Sequence, residues 1–301
     1  MHPYLPTLKQ LQYLTALKEH GHFGRAAEAC FVTQSTLSAG IRELESLLGL
    51  MLVERTRRVV RFTPLGDRMV EQAHKVLREA EQLADMAVAA SKPLAGELRM
   101  SVIPTIAPFL LPTLLPRLRK ERPELKLYLR EEVSAAACDS LHHGRVDCVL
   151  LALPYACGDV DHANLFEDRL LVAYPPSYAG EIPGEVSSDA LDSSEMLLLE
   201  DGHCLKDHVL AACNRPDLRA GATMMGTSLH TLVQMVAGGL GVTMLPEMAV
   251  ESGILEGTGI VTRPLTSDHD SRMVALVWRK NSPREEEFRL LAKLMADDSN
   301  K

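Results

Sequence analysis

Residues 23–66 read FGRAAEACFVTQSTLSAGIRELESLLGLMLVERTRRVVRFTPLG, and this stretch decides the fold of the N-terminal part of the chain. FGRAAEAC predicts a short helix, and a second helix opens at Thr33 in TQSTLSAGIRELESLLG. In that helix Leu37, Ile41, Leu44 and Leu48 recur at i, i+4, i+7 and i+11 and turn inward. Gln34, Ser35, Thr36, Ser38 and Arg42 gather toward its N-terminal end and can face outward. Just upstream, TLKQLQYLTALKEH (7–20) sets Leu8, Leu11, Leu14 and Leu17 on one helical face, with Thr7 as N-cap and Gly21 as stop. A short helix, a turn and a helix that opens with small polar residues form the layout of a helix-turn-helix. Its second helix enters the major groove N-terminal end first. Glutamine suits adenine edges, and Ser or Thr hydroxyls suit phosphates or either base type.

MLVERTRRVVRFT (51–63) predicts a two-stranded ribbon, a wing whose bend carries Arg55, Arg57 and Arg58, with Arg61 on its second strand. Guanidinium groups there are placed for phosphates or a minor groove. TPLG then starts a long helix, with Thr63 as cap and Pro64 in the first turn. Met69, Ala73, Val76, Ala80, Leu83 and Ala87 alternate by four and three, an a/d seam of nearly three heptads that predicts pairing with a second chain.

The chain has 301 residues, 46% hydrophobic and 24% charged, enough apolar material for more than one domain. No apolar run approaches the ~18 residues that span a bilayer. The start, MHPYLPTLKQ, lacks the charged-then-apolar layout of a signal peptide. A cytoplasmic location with no membrane partner is expected, and thiols there are kept reduced. The net charge of −8 is uneven: residues 1–92 carry 12 Lys/Arg against 10 Asp/Glu, and the rest 20 against 30. A mildly basic head on an acidic body is compatible with nucleic-acid binding by the head. Six cysteines (30, 138, 148, 157, 204 and 213) show no CxxC and no metal-ligand spacing with His. No metal, no cofactor and no structural disulfide framework are therefore expected. Cys30 and Cys148 read as small core filler, and Cys138 and Cys157 give no signal.

Beyond a linker at KPLAG (92–96), strand and helix patterns alternate. ELRMSVIP, LKLYLRE, VDCVLLAL, RLLVAYP, EMLLLE, VTMLP and MVALVWR read as strands. PFLLPTLLPRLRKERP, SAAACDSLHHG and residues 228–239 and 283–296 read as helices. The alternation predicts an α/β architecture, in which ligands settle in the crevice at the strand ends.

The stretch from FGRAAEAC to TPLG resembles the signature of LysR-type transcriptional regulators, over residues 7–92, with Ser35 where relatives often carry Pro. The resemblance implies an α/β protein in three parts. These are a winged helix-turn-helix DNA-binding domain (1–62), a linker and dimerisation helix (63–92), and a periplasmic-binding-protein-like effector domain of two α/β lobes (93–301). It also implies promoter DNA and RNA polymerase as partners, a dimer through residues 63–92, and a tetramer.

Residues 200–213, EDGHCLKDHVLAAC, hold Cys204 and Cys213 nine positions apart. In a helix their Cα atoms would lie roughly 13 Å apart, whereas a disulfide tolerates about 7 Å. Either the two thiols never meet, or their meeting rebuilds the segment. DGHC places Cys204 in the first turn of a helix, beside His203 and near Lys206, a setting that favours a thiolate.

LLEDGHCLKDHVLAAC (198–213) and IPTIAPFLLP (103–112) resemble the sensor segments of the hydrogen-peroxide-responsive members of the LysR family. That resemblance implies that Cys204 reacts with peroxide and that Cys213 resolves the sulfenic acid as a disulfide. His203 and Asp207 match as well, with Asp207 orienting a proton carrier. Thr105 lines the peroxide pocket and Ser134 supplies a second hydroxyl where Thr is usual. Read from the residues alone, Arg272 in SRMVALVWR either serves the pocket or is a solvated charge at the start of a strand. Closure of the disulfide would unwind the helix and switch promoter control in an oxidative stress response, and cellular thiol reductants would reset it.

Two other readings stay open. A LysR regulator could bind a metabolite carboxylate through Arg and Ser/Thr in the cleft, its cysteines incidental. A thiol peroxidase with a DNA tether is the enzyme reading, and the absence of a thioredoxin-like βαβ pattern with its Cys motif weighs against it.

Overall fold

A computed structural model of the protein describes residues 5–55, 60–89, 93–178, 182–188, 191, 195–213, 225–267 and 269–296. The chain divides into two compact units, Met1–Ala87 and Val88–Lys301.

In the first unit, helix boundaries follow from local capping. Thr7 accepts the Gln10 amide while the Gln10 side chain accepts the Thr7 amide, a capping box that opens α1 (Leu8–His20). Gly21 closes it in the left-handed region, at φ 58°. After α2 (Phe23–Ala29), Thr33 caps α3 (Gln34–Leu48), which ends on the left-handed Gly49. Leu14 and Leu17 pack with Leu37, Ile41 and Leu44 in one core. Cys30 only half-enters that core, so the expectation of a fully buried filler is corrected there.

The wing consists of β1 (Val53–Arg55) antiparallel to β2 (Val60–Phe62). Thr63 then accepts the Gly66 amide at 2.9 Å and donates to the Met51 carbonyl at 3.0 Å, tying the wing to α4 (Pro64–Ala89). A Cβ at position 66 would lie 2.2 Å from the Leu52 carbonyl oxygen, so the last residue of TPLG has to be glycine.

The second unit is α/β, as expected. Its main sheet runs β4 (Leu125–Glu131), β3 (Gly96–Val102), β5 (Cys148–Leu153), β12 (Ser271–Arg279), β6 (Val160–Tyr174), β11 (Val261–Thr266) and β7 (Val186–Ser187). β10 (Thr243–Pro246) also pairs with β6. The 15-residue β6 joins two cores. Its residues 160–169 pair with β12, and its residues 170–174 pair with β10 and β11. The first core lies under β3, β5 and β12 with α5 (Ala107–Glu121), α6 (Ser134–His142) and α10 (Glu285–Ala296). The second takes the end of β6, β8 (Leu198–Leu199), α7 (Cys204–Cys213), α8 (Leu229–Ala237) and β10. β8 pairs in parallel with β9 (Met225–Gly226), and α9 (Glu247–Glu251) follows β10.

Cys148 is fully buried in the first core, and burial pushes its thiol well up, as befits filler. Cys138 and Cys157 correct the expectation of no structural disulfide. They are bonded to each other, with their Cα atoms 5.4 Å apart. The pair is 19 residues apart in sequence and belongs to no short motif, so only the packing of α6 against the loop after β5 brings it together.

Candidate functional site

At the start of α3, Gln34, Ser35, Thr36 and Arg42 are exposed and Ser38 is half-buried. The hydroxyls of Ser35 and Thr36 each lie 2.8 Å from Thr33 Oγ1, so both are drawn into the helix cap. Gln34 and Arg42 remain as the side chains best placed to reach outward. In the turn before α3, Phe31 is 97% exposed in the left-handed region, a surface aromatic that no sequence pattern singles out. Arg57 and Arg58 lie outside the described residues, as does the Arg55 side chain.

The seam of α4 splits in two. Ala73 is buried and Met69 half-buried in the head's own core, whereas Val76 and Leu83 are 48% and 73% exposed. Among the described side chains, the single chain leaves Val76 and Leu83 of the distal half uncovered.

In the second unit Cys204 is the first residue of α7. Its amide, one of the donors a helix start leaves unsatisfied, donates to the Ser134 hydroxyl at 3.2 Å. Ser134 in turn begins α6, so two helix N-termini meet at this thiol. Cys204 is buried in the first core, while Leu205, Val209 and Cys213 of the same helix belong to the second. Neither Cys204 nor Cys213 is in a disulfide.

Both expected cationic neighbours are compensated or disfavoured by their surroundings. Burial is the main influence on His203 and pushes its pKa down, toward the neutral imidazole. Lys206 Nζ is engaged by Asp201 at 2.6 Å. Asp207 is exposed and, among the described residues, makes no hydrogen bond to a proton carrier. What remains beside the Cys204 sulfur is the positive end of the α7 dipole.

Thr105 and Arg272 are brought together. The Arg272 guanidinium donates through Nη1 to Thr105 Oγ1 at 2.9 Å and through Nη2 to the Thr105 carbonyl at 3.0 Å. Its Nε donates to Asp168 Oδ2 at 3.0 Å, completing a buried ion pair. Arg272 and Asp168 are direct cross-strand neighbours on β12 and β6. The other carboxylate oxygen of Asp168 accepts the Met248 amide at 3.0 Å, at the start of α9. Arg272 is thus a buried, paired residue of the site rather than a solvated charge at the start of a strand.

Asp168 and Met248 were not legible as site residues, and neither was His208. His208 sits one turn beyond Cys204 on α7, buried, and its Nε2–H donates to the Pro154 carbonyl at 2.9 Å. Its Nδ1 is buried with no partner among the described residues. Burial first, with a contribution from Arg272, pushes its pKa down. The neighbouring Tyr155 has its phenol pushed up by burial, and then by Cys204 and Asp207. The i, i+4 spacing of Cys204 and His208 is the one signal that could have pointed to His208.

No helix among the described residues is long and apolar enough to cross a membrane, and no group of three or more His, Cys, Asp or Glu could hold a metal there.

Residues 8–67 match the bacterial regulatory helix-turn-helix protein family of the lysR type, and residues 91–299 match the LysR substrate binding domain. The chain is 40% identical over 291 residues to the HTH-type transcriptional regulator EstR of Acinetobacter baylyi, covering 97% of this chain and 96% of that protein. It is 39% identical over 285 residues to the DNA-binding transcriptional dual regulator OxyR of Escherichia coli, covering 95% and 93%. Among solved structures, a full-length OxyR variant from Pseudomonas aeruginosa superposes with a TM-score of 0.75 at 36% identity, covering 97% of this chain and 95% of that one. A hydrogen-peroxide-bound OxyR mutant from Corynebacterium glutamicum gives 0.66 at 31% identity, covering 99% and 94%. With both of its units matched in this way, the chain belongs to the LysR family of bacterial transcriptional regulators.

Proposed function

We propose that the chain is a hydrogen-peroxide-sensing, DNA-binding transcriptional regulator of the OxyR kind. The observation that carries this reading is Cys204 itself. It is a buried thiol at a helix N-terminus, its amide anchored on Ser134, and it shares one helix with a second thiol that lies in the other core.

The Cys204 thiolate attacks one peroxide oxygen. The O–O bond breaks, sulfenic acid remains on the sulfur, and the second oxygen leaves as water after gaining a proton. Thr105 Oγ1 accepts from Arg272, which leaves the threonine hydrogen to donate to a peroxide oxygen. Ser134, which accepts from the Cys204 amide, is in the same position. His203 and Asp207 flank the first turn of α7, where the proton given up by the Cys204 thiol is returned to that departing oxygen. The Cys213 thiol then attacks the sulfenic sulfur and forms the disulfide, and its proton joins the departing hydroxide to release water.

On the DNA side, Gln34 and Arg42 read the major groove, with Ser35, Thr36 and Ser38 against the backbone. Arg55, Arg57 and Arg58 of the wing neutralise phosphates. The chain acts as a dimer through residues 63–92 and, by family analogy, as a tetramer that engages RNA polymerase at promoters in the cytoplasm. Cellular thiols reset it.

A metabolite-sensing LysR regulator would need a cation in the cleft for a carboxylate. Arg272, the arginine at this site, is already neutralised by Asp168, which weighs against that role.

Footprinting on promoter DNA with reduced and peroxide-treated protein, paired with peptide mapping, tests the proposal. A changed footprint that tracks a Cys204–Cys213 bond is expected. An unchanged footprint, with Cys204 still a thiol after micromolar peroxide, would reject it.

A further inference from the structure

The Cys138–Cys157 bond joins the two walls of the Cys204 site. α6 starts at Ser134, which holds the Cys204 amide, and carries Cys138 one turn later. The other wall is the loop after β5. There the Pro154 carbonyl holds His208 of α7, Tyr155 feels the charge at Cys204, and Cys157 follows two residues on. Both cysteines keep a little exposure, 7% for Cys138 and 4% for Cys157, whereas Cys204 and Cys213 are thiols in the same molecule. A second tie runs alongside the disulfide, because His142 Nε2 of α6 lies 2.5 Å from the Cys157 carbonyl oxygen. That contact does not depend on the sulfurs, so it would keep them close enough to rejoin after the bond opens.

We propose that Cys138 and Cys157 form a second thiol–disulfide site, distinct from Cys204 and Cys213, which clamps the walls of the sensor site and sets the reactivity of Cys204. The proposal rests on the reading of Cys204 as the peroxide-reactive thiol. A low-molecular-weight thiolate such as glutathione opens the clamp by attacking one sulfur. This breaks the protein S–S bond and forms a mixed disulfide. A second thiolate displaces the protein sulfur, releasing the oxidised small disulfide. The protein gains two electrons and two protons and holds two thiols. Closing is the reverse, with the small disulfide as oxidant.

An opened clamp lets α6 and the 154–157 loop separate. The Ser134 hydroxyl then leaves its alignment with Cys204, and α7 loses a firm seat for His208. Peroxide oxidation of Cys204 should slow by about tenfold, the order expected when a positioned group is displaced. Alkylation of Cys204, which needs local opening rather than alignment, should accelerate by roughly the same factor.

The full-length protein is equilibrated in glutathione buffers of graded thiol-to-disulfide ratio, freed of small thiols, and pulsed either with hydrogen peroxide or with N-ethylmaleimide. Differential alkylation and peptide mapping read residues 138, 157, 204 and 213 separately. The expected result is that 138–157 occupancy titrates across the series and that the two Cys204 rates follow it in opposite directions. Cys138→Ser and Cys157→Ser should match the fully opened protein, but the wild-type series stands without them if either fails to fold. The proposal falls if Cys138 and Cys157 hold one state in every buffer, or if both Cys204 rates stay constant while that state changes. If alkylation follows the clamp while peroxide leaves Cys204 untouched, the clamp stands and the peroxide reading of Cys204 falls.

Discussion

Cys204 and Cys213 form the two ends of one ten-residue helix, each only 1% exposed, and they are buried in different cores. An intact helix keeps their Cα atoms roughly 13 Å apart, beyond the limit of about 7 Å for a disulfide. A bond between them therefore requires α7 to unwind and at least one thiol to leave its core. Amides 204–213 should lose protection from hydrogen exchange in step with the appearance of that bond in peptide maps. In Cys213→Ser, Cys204 should still oxidise, but the sulfenic acid should persist and advance to sulfinic acid, beyond rescue by thiols. If the bond forms while exchange across α7 is unchanged, unwinding is not the switch.

Arg272 and Asp168 make a second checkable pair, since both are buried and each satisfies the other. Removing one partner strands a charge in a dry site. Arg272→Met should cost about 3–5 kcal/mol of stability, the range for breaking a buried ion pair from one side. The double variant Arg272→Met with Asp168→Leu should recover a large part of the loss, because no lone charge remains. Urea midpoints of the two single variants and the double decide this. Simple additivity of the losses would show that the pair does not act as a unit.

The distal half of the α4 stripe supplies a third case. Val76 and Leu83 are apolar, exposed in the single chain, and spaced as d and d of successive heptads. Ala80, between them, is half-buried at the neighbouring a position. Ala80→Glu would place like charges against each other in a paired seam, so sedimentation at micromolar concentration should shift from dimer toward monomer. A wild-type chain that already sediments as a monomer would remove α4 as the pairing surface.

The head was legible because its signals are local. Thr7, Gly21, Thr33, Gly49 and Thr63 each mark a boundary within one turn of the residue they cap. The two-lobed α/β body was legible in outline for the same reason, since apolar strands such as VDCVLLAL carry their own burial pattern. The first half of β6, VDHANLFED, was not. It is rich in polar residues and becomes a strand because β12, over 100 positions later, pairs with it. Asp168 was hidden for the same reason, since its partner lies 104 residues away. Cys138 and Cys157 were silent because a disulfide depends on where two backbones meet, which neither residue's neighbours encode. His203 and Lys206 misled in the other direction. Their types suggested positive charge at Cys204, but burial of one and the Asp201 partner of the other could be known only in three dimensions.

The last test uses acid. His208 is held neutral inside the wound α7, its pKa pushed below the ordinary 6.5 mainly by burial, with the nearby Arg272 also lowering it and the Pro154 carbonyl and Asp207 opposing. Once α7 unwinds, the imidazole reaches water and regains an ordinary affinity for protons. The unwound form therefore binds more protons than the wound form between the two pKa values, and the stability of the wound form rises with pH there. The contribution is complete above about pH 6.5 and is lost as the pH falls through that value toward the depressed one. His203, also pushed down by burial, acts with the same sign. Local opening of amides 204–213, corrected for intrinsic exchange, should therefore be more frequent at about pH 5.5 than at about pH 7.5. His208→Gln keeps an N–H that can reach the Pro154 carbonyl but cannot titrate, so it should flatten part of that slope and leave the part owed to His203. A glutamine variant with the full wild-type pH dependence would mean that His208 does not couple protonation to the unwinding of this helix.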